Sequence, residues 1–136
     1  MNREMNRENL SRMADYIETV LQRNFNMRRF RMGQKFGHEC NSVGCVIGHC
    51  TVLDENPLPI DYSGDIDFTA WSSKFTGVPS FYDEWEYLFS YDWEDVDNTP
   101  TGAAKRIRHF LLRGLPQNWY EQMKGKAPLS YLNQTK

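Results

Sequence analysis

"NSVGCVIGHCTVL", residues 41–53, is apolar on almost every side. Val43, Val46, Ile47, Val52 and Leu53 spread over the whole circumference of a 3.6-residue helix. A helix hydrophobic all round is surrounded by core rather than laid on its surface. Asn41 and Ser42 are good N-cap residues, so the stretch predicts a central, buried helix over 42–53. Gly44 and Gly48 are four apart and share a face of it. Each mid-helix glycine costs up to about 1 kcal/mol relative to alanine, so another backbone or a ligand is expected to come close there.

Outward from this helix the apolar spacing predicts four more. Leu10, Met13, Ala14, Ile17, Val20 and Leu21 give an amphipathic helix over 9–23. Asp67 caps a helix over 67–76 with Phe68, Trp71 and Phe75 inward, stopped by Gly77. Ser80 and Asp83 resemble a capping box for a helix over 80–90, with Phe81, Trp85, Leu88 and Phe89 as its buried stripe. Thr99 and Pro100 open a helix over 100–113 that buries Ala103, Ala104, Ile107, Phe110 and Leu111 and ends at Gly114. Lys105, Arg106, Arg108, His109 and Arg113 are left outward or at its margins. Phe30, Met32 and Gln34 alternate with Arg29, Arg31 and Lys35, a short extended segment near 28–36. Residues 90–98 read as an acidic loop anchored by Trp93. The fold class is therefore α+β, mainly α: one domain over 1–136, ordered over about 9–123, with a loose polar tail from Lys124.

The chain has 136 residues, enough to bury a real core. No apolar run is long enough to span a bilayer, and the polar N-terminus lacks the apolar centre of a secretory signal. All three cysteines lie within "HECNSVGCVIGHC", residues 38–50. An odd, clustered set argues against a disulfide framework and for a reducing cytosol.

That stretch also holds His38 and His49, so it admits three chemistries. Zinc is one: His38, Cys40, Cys45, His49 and Cys50 are the potential ligands. On a continuous helix, however, Cys45 and Cys50 point about 140° apart, so one ion cannot gather every group. Buried packing thiols fit the segment better, and no metal or other cofactor is favoured. Thiol catalysis is the second: Cys40 stands just before the helix start, two residues from His38, with no orienting third group. Anion binding is the third. Arg28, Arg29 and Arg31 lie just upstream of the unpaired N–H groups at Asn41 and Ser42, a basic entry where a small anionic or nucleotide ligand would rest.

Charge is strongly uneven. Residues 54–97 carry one Lys against twelve Asp/Glu, whereas residues 98–136 carry seven Lys/Arg against one Glu. Either the ends fold back on the acidic middle, or the chain presents an acidic face to a charged partner. In the second case Asp92, Glu94, Asp95 and Asp97 are the partner-binding residues. The same sign opposes direct nucleic-acid binding. It suits a protein that occupies a basic groove meant for nucleic acid.

"FRMGQKFGHECNSVGCVIGHC" resembles a pattern found in small proteins of bacteria, phages and prophages. There a Phe-x-Met segment leads to Cys-x4-Cys-x2-Gly-His/Trp, then a Leu-Phe, a tryptophan, and Thr-Pro followed by Ala-Ala. The matching positions are Phe30, Met32, Cys40, Cys45, Gly48, His49, Leu88, Phe89, Trp93, Thr99, Pro100, Ala103, Ala104 and Gly114. The likeness covers roughly residues 25–119. Where the pattern has Gly-Thr after the first cysteine, this chain has Asn41 and Ser42. The resemblance implies a phage or mobile-element setting and transfers no activity. The expected function is a non-catalytic binding or inhibitor protein, phage-encoded and anti-defence in role, such as an inhibitor of a CRISPR nuclease, acting on a host protein's surface. The alternatives are a sponge for a small anion at the basic entry, and a zinc- or thiol-dependent enzyme centred on residues 38–50.

Overall fold

The computed structural model describes residues 5–20, 22–25, 27, 45–80 and 82–132. The expected extended segment near 28–36 lies outside them. So do Arg28, Arg29, Arg31, His38, Cys40, Asn41 and Ser42, and with them the basic entry. The described residues are mainly helical, with an isolated antiparallel bridge between Ile60 and Ile66. None of the described helices is long and apolar enough to cross a membrane.

Helix α1, Arg7–Ile17, buries Leu10, Met13, Ala14 and Ile17, the expected stripe. Asn6 caps it by accepting from the Asn9 N–H at 2.9 Å. It ends six residues earlier than the spacing predicts, at Ile17 rather than Arg23. There the Thr19 backbone N–H and hydroxyl both donate to the Tyr16 carbonyl, at 2.9 and 2.7 Å. A threonine side chain that competes for the backbone in this way closes the last turn.

The central helix is also shorter than expected. α2 runs only from Val46 to Cys50, followed by a 3-10 turn at Thr51–Leu53. Cys45 holds the N-cap position with extended backbone and makes no side-chain cap, while the expected caps Asn41 and Ser42 lie outside the described residues. The Thr51 hydroxyl donates to the Gly48 carbonyl at 3.1 Å where the helix tightens. The expected burial holds for Cys45, Val46, Ile47, Gly48, Cys50 and Thr51, but His49 and Leu53 are half-buried and Val52 is 60% exposed, so the segment is not covered on every side.

α3, Phe68–Thr76, follows the local signals closely. Asp67 accepts from the Ala70 N–H at 3.0 Å, and Gly77 ends the helix in the left-handed region at φ 75°. α4 is Asp83–Phe89, and the expected capping box is not formed. Its N-cap is Tyr82, whose side chain makes no capping bond; instead Asp83, Glu84 and Glu86 crowd the first turn, where negative charge compensates the unpaired N–H groups. Residues Tyr91–Asp95 form a 3-10 helix rather than a loop, with Trp93 fully buried. α5, Pro100–Arg113, opens as expected: the Thr99 hydroxyl accepts from the Gly102 N–H at 2.9 Å. A short α6, Trp119–Met123, was not foreseen.

α1 packs along α5 and also touches α2 and α3, while α4 meets α5 and α6. Arg7 donates to the Leu111 carbonyl, joining the two long helices at their polar margin. Aromatic rings fill the rest of the core. Trp71 stacks on Phe75 with centroids 4.8 Å apart, and Trp93 meets Tyr87 and Tyr131 edge-on at 5.9 and 6.2 Å. Buried indoles need a partner for the N–H, and here the indoles of Trp71, Trp85 and Trp93 donate to Asp54, Ser72 and the Tyr87 carbonyl respectively.

Two expectations fail in this core. Arg106 is not at the helix margin but has no exposed surface. Its guanidinium lies 4.0 Å over the Trp93 ring and donates from Nη1 to the Tyr131 hydroxyl at 2.9 Å. The tail is not loose throughout either, because Tyr131 is fully buried and bridges Arg106 to Asp97.

Candidate functional site

The 38–50 stretch supplies packing in its described part. Cys45 is buried, and burial pushes its thiol up to about 11 despite backbone hydrogen bonds. Burial likewise pushes Cys50 up, and its thiol donates to the Met13 carbonyl at 3.8 Å. A nucleophilic cysteine needs the thiolate, so these two thiols are held in the inert form. His49 is half-buried on α2, its backbone N–H bonded to the Cys45 carbonyl at 3.0 Å. Among the described residues no three His, Cys, Asp or Glu groups are placed to hold a metal ion.

The four acidic residues expected to face a partner separate. Asp97 turns inward. Its Oδ2 accepts from the Tyr131 hydroxyl at 2.5 Å, its Oδ1 from the Thr99 hydroxyl at 2.6 Å, and the Arg106 Nη1 lies 3.7 Å away. Gly102 makes room for it, since a Cβ there would overlap the Asp97 carboxylate. Asp97 therefore belongs to the core network and not to a docking face. Asp92 is half-buried and ion-paired with Lys124 at 3.0 Å. Glu94 is half-buried and Asp95 exposed.

The basic C-terminal part does fold back on the acidic middle, through Lys124–Asp92 and Arg106–Asp97. Arg108 instead reaches α1, where Glu18 and Asp15 accept at 2.6 and 2.8 Å, and those hydrogen bonds raise its basicity further.

What remains outward gathers around α4. Burial, then the like charges of Asp92 and Asp83, push the Glu86 carboxyl above the usual range, outweighing a hydrogen bond to Ser90. Asp83 and Glu86 stand one turn apart on α4, and Asp92 follows in the 3-10 helix Tyr91–Asp95. Lys124 lies beside it, 5.4 Å over the Tyr120 ring, and its proton is held more tightly chiefly by the hydrogen bond to Asp92, with Tyr120 and Tyr91 adding to the field. Tyr91 and Tyr120 are 59% and 52% exposed, which is high for rings of that size beside a packed core. Of these carboxylates sequence reasoning named only Asp92 as partner-binding, and it missed Asp83, Glu86, Tyr120 and Lys124. Tyr120 and Lys124 come from α6, more than two dozen residues further along, and no local signal joins them to α4.

The surface so formed has carboxylates, half-exposed tyrosines and one counter-cation, but no activated nucleophile. Tyrosine is enriched at protein interfaces because it offers a rigid apolar ring with a polar tip. No family model matches the chain, and no curated protein or solved structure is significantly similar to it.

Proposed function

We propose that this protein is a non-catalytic binding protein that lays its α4 and α6 surface on the basic surface of a host protein. The setting we propose is that of a phage-encoded anti-defence inhibitor, with the nucleic-acid groove of an effector such as a CRISPR nuclease as the surface occupied. One observation carries the mode of binding: α4 presents Asp83 and Glu86 in its first turn, and Asp92, next to the exposed Tyr91, pairs at 3.0 Å with Lys124, which lies 5.4 Å over the exposed Tyr120 ring. Negative charge steers the encounter with a basic groove, and buried tyrosines hold it. The setting rests on the sequence resemblance alone.

The experiment is competition. Purified protein is added to guide-loaded effector nucleases before a labelled DNA target, at rising salt. Displacement of DNA that weakens with salt, and weakens tenfold or more in the Asp95→Lys and Tyr120→Ala variants, supports the reading. Displacement indifferent to both substitutions, or no displacement from any effector tested, overturns it.

A further inference from the structure

A concave site lies between α1, the 53–59 segment and α3, a cleft of about 490 Å³. That size is in the range of pockets that hold small organic ligands. Its lining includes Arg12, Leu53, Asp54, Pro57, Trp71 and Lys74.

The wall is pre-organised. Arg12 lies over the Phe75 ring, 5.9 Å from its centroid, and donates from Nη1 to Asn9 Oδ1 at 3.2 Å and from Nη2 to the Leu53 carbonyl at 3.0 Å. Asn9 is fixed in turn by donating its amide to the Phe75 carbonyl at 2.8 Å. Two bonds leave the guanidinium with unused N–H donors, since arginine carries five. Its fork is thus oriented before any ligand arrives, which removes part of the ordering cost of binding.

The charges divide into committed and uncommitted. Asp54 is committed: Oδ2 accepts from the Trp71 indole at 2.9 Å, and Oδ1 from the Asn56 backbone and side-chain amides at 2.9 and 3.1 Å. Burial alone would raise this carboxyl, but those donors and nearby Lys74 hold it below its ordinary value. Lys74 is exposed and forms no ion pair with a described residue. Glu55 is exposed at the same cleft. Two cations with spare donors therefore face two carboxylates, Asp54, with its oxygens taken by Trp71 and Asn56, and Glu55 beside it, next to the apolar faces of Leu53, Pro57 and Pro59.

We infer that this cleft binds a compact organic carboxylate, its head between Arg12 and Lys74 and its apolar body against Leu53 and Pro57. Glu55 distinguishes two sources of that chemistry. It repels a simple anion and attracts the ammonium group of a free amino acid.

The Trp71 indole N–H, bonded to Asp54 in the wall, is a built-in reporter. Benzoate, phenylalanine and inorganic phosphate are titrated into uniformly ¹⁵N-labelled protein while the assigned Trp71 indole resonance is followed. Benzoate or phenylalanine is expected to move it saturably, with a dissociation constant on the order of 1 mM for about nine to twelve non-hydrogen atoms. Lys74→Gln, a change at an exposed residue, is expected to weaken this at least fivefold, with thermal unfolding as the check on folding. Tighter binding of phenylalanine than of benzoate, reversed in Glu55→Gln, assigns the amino acid; the opposite order assigns the simple anion. No saturable shift with either carboxylate, an unchanged affinity in Lys74→Gln, or equal binding of inorganic phosphate overturns the inference. None of these outcomes touches the α4 surface.

Discussion

Replacing Tyr131 by phenylalanine removes one oxygen and tests the buried network at its centre. The Tyr131 hydroxyl donates to Asp97 at 2.5 Å and accepts from Arg106 at 2.9 Å, so its loss strips a hydrogen bond from each of two charged groups. Arg106 is already short of partners, because its Nε and Nη2 are buried with no bond among the described residues. Hydrogen bonds to charged groups are worth about 1.5–3 kcal/mol each, and a buried group left unpaired loses its solvation as well. The residual Arg106–Asp97 attraction, at 3.7 Å, offsets part of this. We expect Tyr131→Phe to lower unfolding stability by about 3 kcal/mol. Arg106→Met is the counterpart. It removes the orphan nitrogens together with the charge, keeps an apolar stem under Trp93, and leaves Asp97 bonded to Tyr131 and Thr99 at a site with some solvent access. Removing one member of a buried ion pair costs about 3–5 kcal/mol when the other is left uncompensated; Asp97 keeps two hydroxyl donors and some solvent, so a smaller loss of about 2 kcal/mol is expected. Urea unfolding followed by circular dichroism gives both values. A loss under about 0.5 kcal/mol for Tyr131→Phe, less than one net hydrogen bond, would mean that the hydroxyl bridge does not hold the tail. Arg106→Met costing more than Tyr131→Phe would refute the claim that unsatisfied donors dominate the energetics.

Three other perturbations follow from the same geometry. Gly102→Ala gains helix propensity but drives a methyl into the Asp97 carboxylate, and a net loss of about 2 kcal/mol is expected by the same unfolding assay. Peptide-mapped alkylation at pH 8 should leave Cys45 and Cys50 unmodified until the protein is unfolded; prompt labelling of Cys45 in the native state would contradict its burial. Burial, then Arg113, lower the pKa of His109 from its ordinary 6.5, so the unfolded chain takes up a proton there before the folded one does. Stability from this group is complete above pH 6.5 and declines as pH falls from there toward the folded value; the decline should be shallower in His109→Gln when melting temperatures are measured from pH 7.5 to 5.

Signals confined to a few neighbouring residues were legible. Asp67 and Gly77 bracket α3, and Thr99-Pro100 and Gly114 bracket α5, because caps act through bonds between residues three or four apart. The burial of residues 45–48, 50 and 51 also followed from composition. The extent of that helix did not, since a short apolar segment carries no mark of where its hydrogen bonding starts. Arg106 was legible in principle. With Ala103, Ile107 and Phe110 it completes an i, i+3, i+4, i+7 stripe, so its position argued for burial while its charge argued against. Position won because Trp93, Tyr131 and Asp97, all distant along the chain from α5's apolar stripe or separated by turns, supply a ring face, a hydroxyl and a counter-charge.

The same reasoning changes what the acidic middle of the chain means. Its balance of one Lys against twelve Asp/Glu overstates the field available to a partner. Asp97 serves the core, Asp92 is paired, Asp54 holds the Trp71 indole, Asp67 caps α3, and Asp61 closes a turn by accepting from Ser63 and Asp65. The acids of α4's first turn have a folding role too, because Tyr82 provides no side-chain cap and negative charge there offsets the unpaired N–H groups. Charge reversal at Asp83 should therefore disturb stability and binding together. Asp95 is exposed, outside that helix, and has neither duty. A binding defect in Asp95→Lys at unchanged melting temperature is thus the cleaner evidence for an acidic docking face. A defect confined to Asp83→Lys, and tracking its loss of stability, would assign the acidic α4 turn to folding alone.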